Sequence, residues 1–165
     1  MRRETIFTLV LLLAMTAAAT VQAATATTSF AVTATVLSSC AVTAAPLVFG
    51  AYDPAAGTAI NGSNTLVVLC TTGTPYTVAL GVGNGPGATV ATRKMGNLLN
   101  SDLLNYTLYQ NAARSTQWGS TVGTDTLAAT AAIPASTINV YGQIFSGQNV
   151  SAGAYTDTVN VTVTY

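Results

Sequence analysis

The sequence predicts an all-β fold, specifically an immunoglobulin-like β-sandwich formed by one domain. About seven short segments either alternate apolar with polar residues or are continuously apolar, and turn residues separate them. Thr, Val and Tyr, which suit a pleated and half-buried surface, are abundant in the chain. The best helical candidate, residues 128–132, is limited to one or two turns by Pro134.

The predicted strands follow one another along the chain. The six clearest are residues 30–36, 66–70, 76–80, 106–109, 138–144 and 159–165. The Gly-rich and Pro-containing run at 81–87 forces a loop after the third of them. In the last segment Val159, Val161 and Val163 fall on one face, while polar residues fall on the other.

Composition excludes several classes of protein. Of the 165 residues only 6% are charged, whereas 50% are hydrophobic. A nucleic-acid-binding protein needs a basic face that displaces counterions from phosphates, and a disordered chain needs low hydrophobicity, so neither class fits. His is absent, which removes the commonest general base and the commonest zinc ligand. We therefore expect a non-enzymatic domain without a catalytic site, cofactor or metal.

The first 23 residues have the pattern of a secretory signal peptide. Arg2 and Arg3 give a positive start, an apolar run covers 6–19, and small residues up to Ala23 suit cleavage. A membrane anchor is the competing interpretation, but an anchor needs about 20 apolar residues and this run has only about 14. The pattern therefore predicts an exported chain that is cleaved after Ala23.

Export gives the two cysteines a structural meaning. Cys40 and Cys70 are the only Cys residues, and an oxidising compartment favours a disulfide between them. Two thiolates without any imidazole are too few ligands for zinc, and no His is present to activate a catalytic thiol. The sequence predicts a structural disulfide.

The segment from Ala24 to Val36 allows two interpretations. A small, polar leader is followed by an alternating run in which Phe30, Val32, Ala34 and Val36 share one face. One interpretation is an ordinary first strand of its own sandwich. The other is a detachable strand, roughly 20 Å long, that completes a neighbouring molecule. Periodicity alone does not decide between them.

Residues of types that are typical of other functions have ordinary structural explanations. The scattered acid–base candidates are Asp53, Asp102, Asp125 and Asp157. They lie in turn-like settings, where Asp most often caps or bonds the local backbone. Trp118 and Tyr109 are candidates for a carbohydrate-binding platform of an adhesin, but such residues are more often part of a sandwich core.

Blocks of sequence spread over the chain resemble a known family. They are Val48-Phe49-Gly50, residues 104–114, Trp118-Gly119, residues 140–144, Gly147-Gln148 and residues 152–159, in that order. With these blocks the mature chain resembles the spore coat protein U-like domain family, whose fold is shared by pilins of archaic chaperone–usher pili. The resemblance divides the chain into a signal peptide (1–23), a donor-strand extension (24–36) and a pilin domain (37–165).

The resemblance implies a specific assembly. Pilins of this kind have a sandwich that lacks its final strand, and the open groove is filled first by a periplasmic chaperone and then, at an outer-membrane usher, by the extension of the next subunit. By resemblance the donor residues are Phe30, Val32, Ala34 and Val36, whereas Val159, Val161 and Val163 line the acceptor groove; the cysteine pair also matches.

The function implied by the resemblance is that of a structural pilus subunit. The subunits form a head-to-tail homopolymer that passes through the periplasm to the cell surface and supports adhesion and biofilm formation. One domain with a donor extension favours a shaft subunit over a tip subunit. A secreted spore-coat or matrix protein of the same fold, with its first strand inserted into itself, is the alternative, and a carbohydrate-binding adhesin is a lower one.

Overall fold

A computed structural model describes residues 22–133 and 135–165 of the chain. Contacts divide the chain into two units, Met1–Thr35 and Val36–Tyr165. Most of the predicted signal peptide lies outside the described residues. Among the described residues of the first unit, 22–35, there is no strand, and the side chains of Phe30 and Val32 are 85% and 84% exposed.

The second unit contains nine strands among its described residues. They are β1 (Cys40–Ala44), β2 (Ile60–Cys70), β3 (Pro75–Leu80), β4 (Arg93–Asn97), β5 (Leu103–Tyr109), β6 (Leu127–Thr130), β7 (Ser136–Ile144), β8 (Tyr155–Thr156) and β9 (Val161–Thr164). One short 3-10 helix covers Pro54–Ala56, where the Asp53 side chain accepts a hydrogen bond from the Ala55 amide. No helix in the described part of the chain has the length and apolar character needed to cross a membrane.

The strands form two antiparallel sheets, as the sequence predicts for a sandwich. The larger sheet has the order β1-β2-β7-β5-β4-β8, and the smaller sheet has the order β6-β3-β9. Alternation turns one row of each strand inward, such as Leu66 and Val68 in β2 or Val78 and Leu80 in β3. These rows pack together with Trp118 to form the core. The all-β, immunoglobulin-like fold class is confirmed.

The predicted disulfide is present. Cys40 and Cys70 are direct partners in the antiparallel ladder between β1 and β2, and their sulfur atoms are bonded. The bond fastens the first residue of β1 to the last residue of β2. It therefore holds the short edge strand of the larger sheet in register.

A buried arginine joins the two sheets. Arg93 in β4 is wholly buried, and its guanidinium donates hydrogen bonds to four main-chain carbonyls: Leu80, Gly81, Val90 and Trp118, at 2.6–3.2 Å. Leu80 belongs to β3 of the smaller sheet, so the side chain spans the core. Burial lowers the pKa of Arg93 by desolvating its charge.

The structure differs from the sequence prediction at three places. Residues 30–36 form no strand, and the first ladder strand is instead Cys40–Ala44. The helical candidate at 128–132 is wrong, because its first residues belong to β6, which pairs with β3. The predicted strand at 159–165 is shorter, since β9 begins only at Val161 after the chain has crossed from β8 in the larger sheet.

Candidate functional site: an open apolar groove

The two sheets leave a groove beside the last strand. β1 is an edge of the larger sheet and β9 is an edge of the smaller sheet, and the two strands contact each other. Within the described residues each has one ladder partner, β2 for β1 and β3 for β9. One edge of β9 is therefore left with unpaired main-chain groups, which is the form of edge that accepts an added strand.

A cavity of about 380 Å³ lies in this groove. Its walls come from both sheets and from the segment that follows β1. Most of the lining side chains are apolar, and the polar groups are the Asn64 amide, the Tyr106 and Tyr155 hydroxyls and the stretch Thr156–Thr158. The apolar lining includes Leu47, Phe49, Leu66, Leu80, Met95, Tyr106, Leu108, Val140, Val159 and Val161. An apolar cleft with an unpaired strand edge is suited to binding an extended, apolar peptide segment.

The structure places two of the three predicted groove residues at the cavity. Val159 and Val161 line it, whereas Val163 packs against the core and is not part of the cavity wall. All three are partly buried, and they alternate with exposed residues as the sequence pattern indicates.

The predicted donor residues are exposed. Val36 is 82% exposed, similar to Phe30 and Val32, and Ala34 is exposed as well. The alternating apolar face of this run is therefore unburied in the structure.

The segment after β1 forms a groove wall that sequence reasoning missed. Gly62 in β2 and Gly142 in β7 are direct ladder partners, and the Phe49 ring lies over both. A Cβ atom on Gly142 would stand 2.7 Å from the Phe49 ring, so only glycine leaves room for it. Phe49 also contacts the Tyr106 ring edge-on, with 5.9 Å between ring centroids. The only signal of this wall in the sequence is the Val48-Phe49-Gly50 block, which contributes to the family resemblance but does not itself indicate where Phe49 packs.

A hydrogen-bonded pair fixes the chain where it passes from β8 to β9. The Tyr106 hydroxyl donates to Asp157 Oδ2 at 2.7 Å, and the Asn84 amide donates to Oδ1 at 2.7 Å. Burial, together with the bond to Asp157, raises the pKa of the Tyr106 phenol. Asp157 thus binds segments distant in sequence rather than only its own backbone.

The remaining candidates from the sequence are structural. Trp118 is wholly buried and its Nε1 donates to the Val78 carbonyl at 2.9 Å, and Tyr109 is also in the buried core, so neither presents a face to a sugar. The Asp125 carboxylate accepts from the Thr121 amide at 2.6 Å. Asp102 accepts from the Ser151 amide at 2.8 Å, and hydrogen bonding to the Ser151 side chain and amide lowers the pKa of its carboxyl. Among the described residues no three Asp, Glu, His or Cys side chains are grouped as metal ligands.

The chain is similar to a curated protein and, in fold, to a chain of known structure. A curated protein named Protein U from Myxococcus xanthus is 37% identical over 157 residues, with 87% of each chain covered. A chain in the crystal structure of the CsuC–CsuE chaperone–tip adhesion subunit pre-assembly complex, from archaic chaperone-usher Csu pili of Acinetobacter baumannii, has the same fold. It matches with a TM-score of 0.59 and 24% identity, over 79% of this chain and 41% of that one.

The match to a family model covers most of the described structure. It begins at residue 26, before β1, and ends at residue 162, within β9, so it includes the exposed run, the groove walls and the disulfide. The chain belongs to the Spore Coat Protein U domain family.

Proposed function

We propose that the chain is a structural pilus subunit that polymerises by donor-strand exchange. The observation that carries the proposal is the combination of an apolar groove beside an unpaired strand edge with an exposed alternating run elsewhere in the same chain. The run of one copy fills the groove of the next. Because donor and groove are different surfaces, the contact is head-to-tail and produces a linear polymer.

The dimensions of run and groove agree. Residues 30–36 span roughly 20 Å when extended, and residues 155–161, six of which line the cavity, span about the same length when extended. Burying one Phe and two Val contributes about 1.5–3 kcal/mol for each side chain, in addition to main-chain hydrogen bonds with β9. The sum is enough for a stable junction between two subunits.

The anchor of the extension gives the donor a direction. The Ser39 amide donates to Thr71 Oγ1 at 3.1 Å, so the extension leaves its own domain at the end where β2 meets β3. Thr164, paired with Thr77, lies towards the same end, and Val161 lies towards the other. In an extended polymer the two domains lie end to end, so the donor must leave the groove of its neighbour at the Val161 end. Its last residue, Val36, then lies near Val161 and its first residue, Phe30, lies towards Thr164, which makes the donor antiparallel to β9.

The proposed pathway of assembly follows from the open groove. Exposed apolar side chains and unpaired main-chain groups promote aggregation until they are covered. A periplasmic chaperone covers the groove first, and an outer-membrane usher then exchanges it for the next subunit. The signal peptide at 1–23 directs export, the polymer stands on the cell surface, and its role there is adhesion and biofilm formation. The Csu structure, which contains a chaperone with a pilus subunit, supports this pathway.

A second candidate function is a secreted coat or matrix protein of the same fold. The match to Protein U over 87% of both chains, together with the description of the family as a spore coat protein domain, favours it. In this alternative the run at 30–36 inserts into the groove of its own molecule, so the protein does not polymerise through the groove. The two candidates therefore differ in whether the inserted strand comes from the same copy or from another.

The test uses substitutions on the two faces of the donor run. Val32→Asp puts a charge on the proposed buried face, and Thr33→Asp puts the same charge on the opposite face. The chain is co-expressed with its chaperone and usher, and surface polymer is measured by electron microscopy and by SDS-resistant ladders. We expect Val32→Asp to form a chaperone complex but no polymer, and Thr33→Asp to polymerise. Equal polymerisation of both variants would refute donor-strand exchange.

A deletion separates donation from self-insertion. The chain without residues 25–36 is expressed with the chaperone. A pilus subunit is expected to remain in a stable chaperone complex and to be unable to enter the groove of another subunit. A chain that fails to fold even with chaperone would instead show that the run belongs to its own sandwich.

A further inference from the structure

One polar side chain stands in an otherwise apolar row of the groove. The inward row of β2 consists of Ile60, Gly62, Asn64, Leu66, Val68 and Cys70. Asn64 lies among the cavity-lining residues, between the glycine that seats Phe49 and the buried Leu66. A buried amide in such a row is costly unless both of its ends are hydrogen bonded.

One end of the Asn64 side chain is used within the domain. Its Nδ2 donates to the Ala45 carbonyl. The Ala45 amide donates to the Thr65 carbonyl at 3.0 Å, which is the last main-chain bond between this part of the chain and β2. Pro46 follows and has no N–H to continue the ladder. Asn64 therefore holds the point where the chain leaves β2 and the groove opens.

The other end of the side chain has no partner. Asn64 Oδ1 is buried and, in the described structure, accepts no hydrogen bond. An unsatisfied buried acceptor destabilises the structure that contains it. The apolar side chains beside it in the cavity, such as Leu66, Leu108 and Val140, have no donor to offer. Oδ1 is also closed to water while the groove is empty, so a donor from outside the domain can reach it only when an occupant displaces the side chains that cover it.

We propose that Asn64 is a recognition residue of the groove, whose Oδ1 accepts a main-chain N–H of the docked segment. The inference rests on the proposed function, in which that segment is the run at 30–36 of a second copy. The run contains no Pro, so every residue in it carries an N–H. A strand presents N–H groups to a given side at every second residue, so a bond to Oδ1 is made in one register and lost when the strand slips by one residue.

The experiment combines backbone changes in the donor with variants of Asn64. The purified chain in complex with its chaperone is mixed with synthetic peptides of residues 24–36, each N-methylated at one position between 30 and 36. Release of chaperone measures peptide uptake. In the wild type, one N-methyl position facing Asn64 is expected to weaken uptake about tenfold, as the loss of one buried hydrogen bond predicts.

Variants identify which residue receives that bond. In Asn64→Leu the effect of the same N-methyl group is expected to fall to within about twofold, because no acceptor is left to lose. Asn64→Ala serves as a second apolar variant that adds no volume. Asn61→Leu is the matched control, since Asn61 is exposed on the outer row of the same strand. Its N-methyl profile is expected to match the wild type.

A wild-type measurement needs no variant. When the unmodified peptide is taken up, the ¹³C resonance of the Asn64 side-chain carbonyl is expected to move downfield. The peptide that is N-methylated at the sensitive position is expected to cause no such shift. The outcomes separate the two proposals. If the unmodified peptide is not taken up at all, donor-strand exchange is refuted. If it is taken up, and the N-methyl profile is the same in wild type and Asn64→Leu, only the role of Asn64 is refuted.

Discussion

Gly62 and Gly142 face each other across the β2–β7 ladder, and together they form the seat of the Phe49 ring. The two strands are adjacent only in space, since more than half of the domain separates them in sequence. The seat allows the segment after β1 to lie flat on the larger sheet, where it forms one wall of the groove. The shape of the groove therefore depends on two missing side chains as much as on the side chains that line it.

Substitution of Gly142 by Ala is expected to destabilise the domain. The new Cβ would approach the Phe49 ring to 2.7 Å, so the ring or the sheet must move, at a cost of about 1–3 kcal/mol. Gly96→Ala is the control, because a Cβ there meets nothing within 4 Å. Urea unfolding, followed by fluorescence of the single Trp, measures both variants in the Val32→Asp background so that polymerisation does not contribute. Equal stabilities would show that Phe49 is not seated on this pair.

Removal of the disulfide is expected to lower the free energy of unfolding by about 3–4 kcal/mol on the chain-entropy model. The bond closes a separation of 30 residues and fixes Cys40, the first residue of β1, to Cys70. The double variant Cys40→Ala/Cys70→Ala is compared with wild type by urea unfolding with and without reductant. The free energy of unfolding of the wild type in reductant should match that of the variant. Reductant should not change the stability of the variant. A variant as stable as oxidised wild type would contradict a structural role.

Local pattern in the sequence was sufficient for much of the fold. Apolar and polar residues alternate in β3, in β7 and along the row of Val159, Val161 and Val163. This alternation arises because one face of each strand is buried, and a period of two residues indicates nothing more than that. The two cysteines could be paired because export left no other chemistry for them. The sandwich class and the disulfide follow from these local features.

Features that depend on distant contacts could not be predicted. The sequence of β4 is polar and does not predict a buried strand. Arg93 can be buried there because its guanidinium donates to carbonyls of β3 and of the loop before β6. The crossing between β8 and β9 is fixed by the bonds of Asp157 to Tyr106 and Asn84, which no periodicity records. The run at 30–36 has the alternating pattern of a strand but is exposed in the structure. An alternating pattern does not indicate whether a strand pairs within its own molecule or with a neighbouring one.

Replacement of Arg93 is expected to be among the most destabilising substitutions. Arg93→Lys keeps the charge, but a single ammonium cannot reach the four carbonyls that the planar guanidinium serves, and the unpaired groups cost about 2–4 kcal/mol in total. Arg114→Lys is the matched control, since that guanidinium is only partly buried and donates to two carbonyls. Urea unfolding in the same background should rank Arg93→Lys well below Arg114→Lys, and similar losses would contradict a cross-sheet role.

The stability of the domain is expected to fall in alkali because of Tyr106. Its pKa is raised in the folded state above the ordinary value of 10.0, by burial and by the bond to Asp157. The neutral phenol is therefore favoured on folding, and this contribution is complete below pH 10 and is lost as the pH rises towards the folded pKa. Above pH 10 only the unfolded chain releases this proton, so stability falls by about 1.4 kcal/mol per pH unit from this group.

Tyr106→Phe isolates that contribution, because the other Tyr residues are common to both proteins. Near neutral pH we expect the variant to be less stable by about 1 kcal/mol, since the hydrogen bond to Asp157 is lost. As the pH rises above 10 the difference should shrink and then reverse, because the variant has no phenol to ionise at this position. Thermal melting of both proteins between about pH 8 and pH 11.5 measures the difference. A gap that stays constant across this range would mean that Tyr106 ionises as easily in the folded groove as in the unfolded chain.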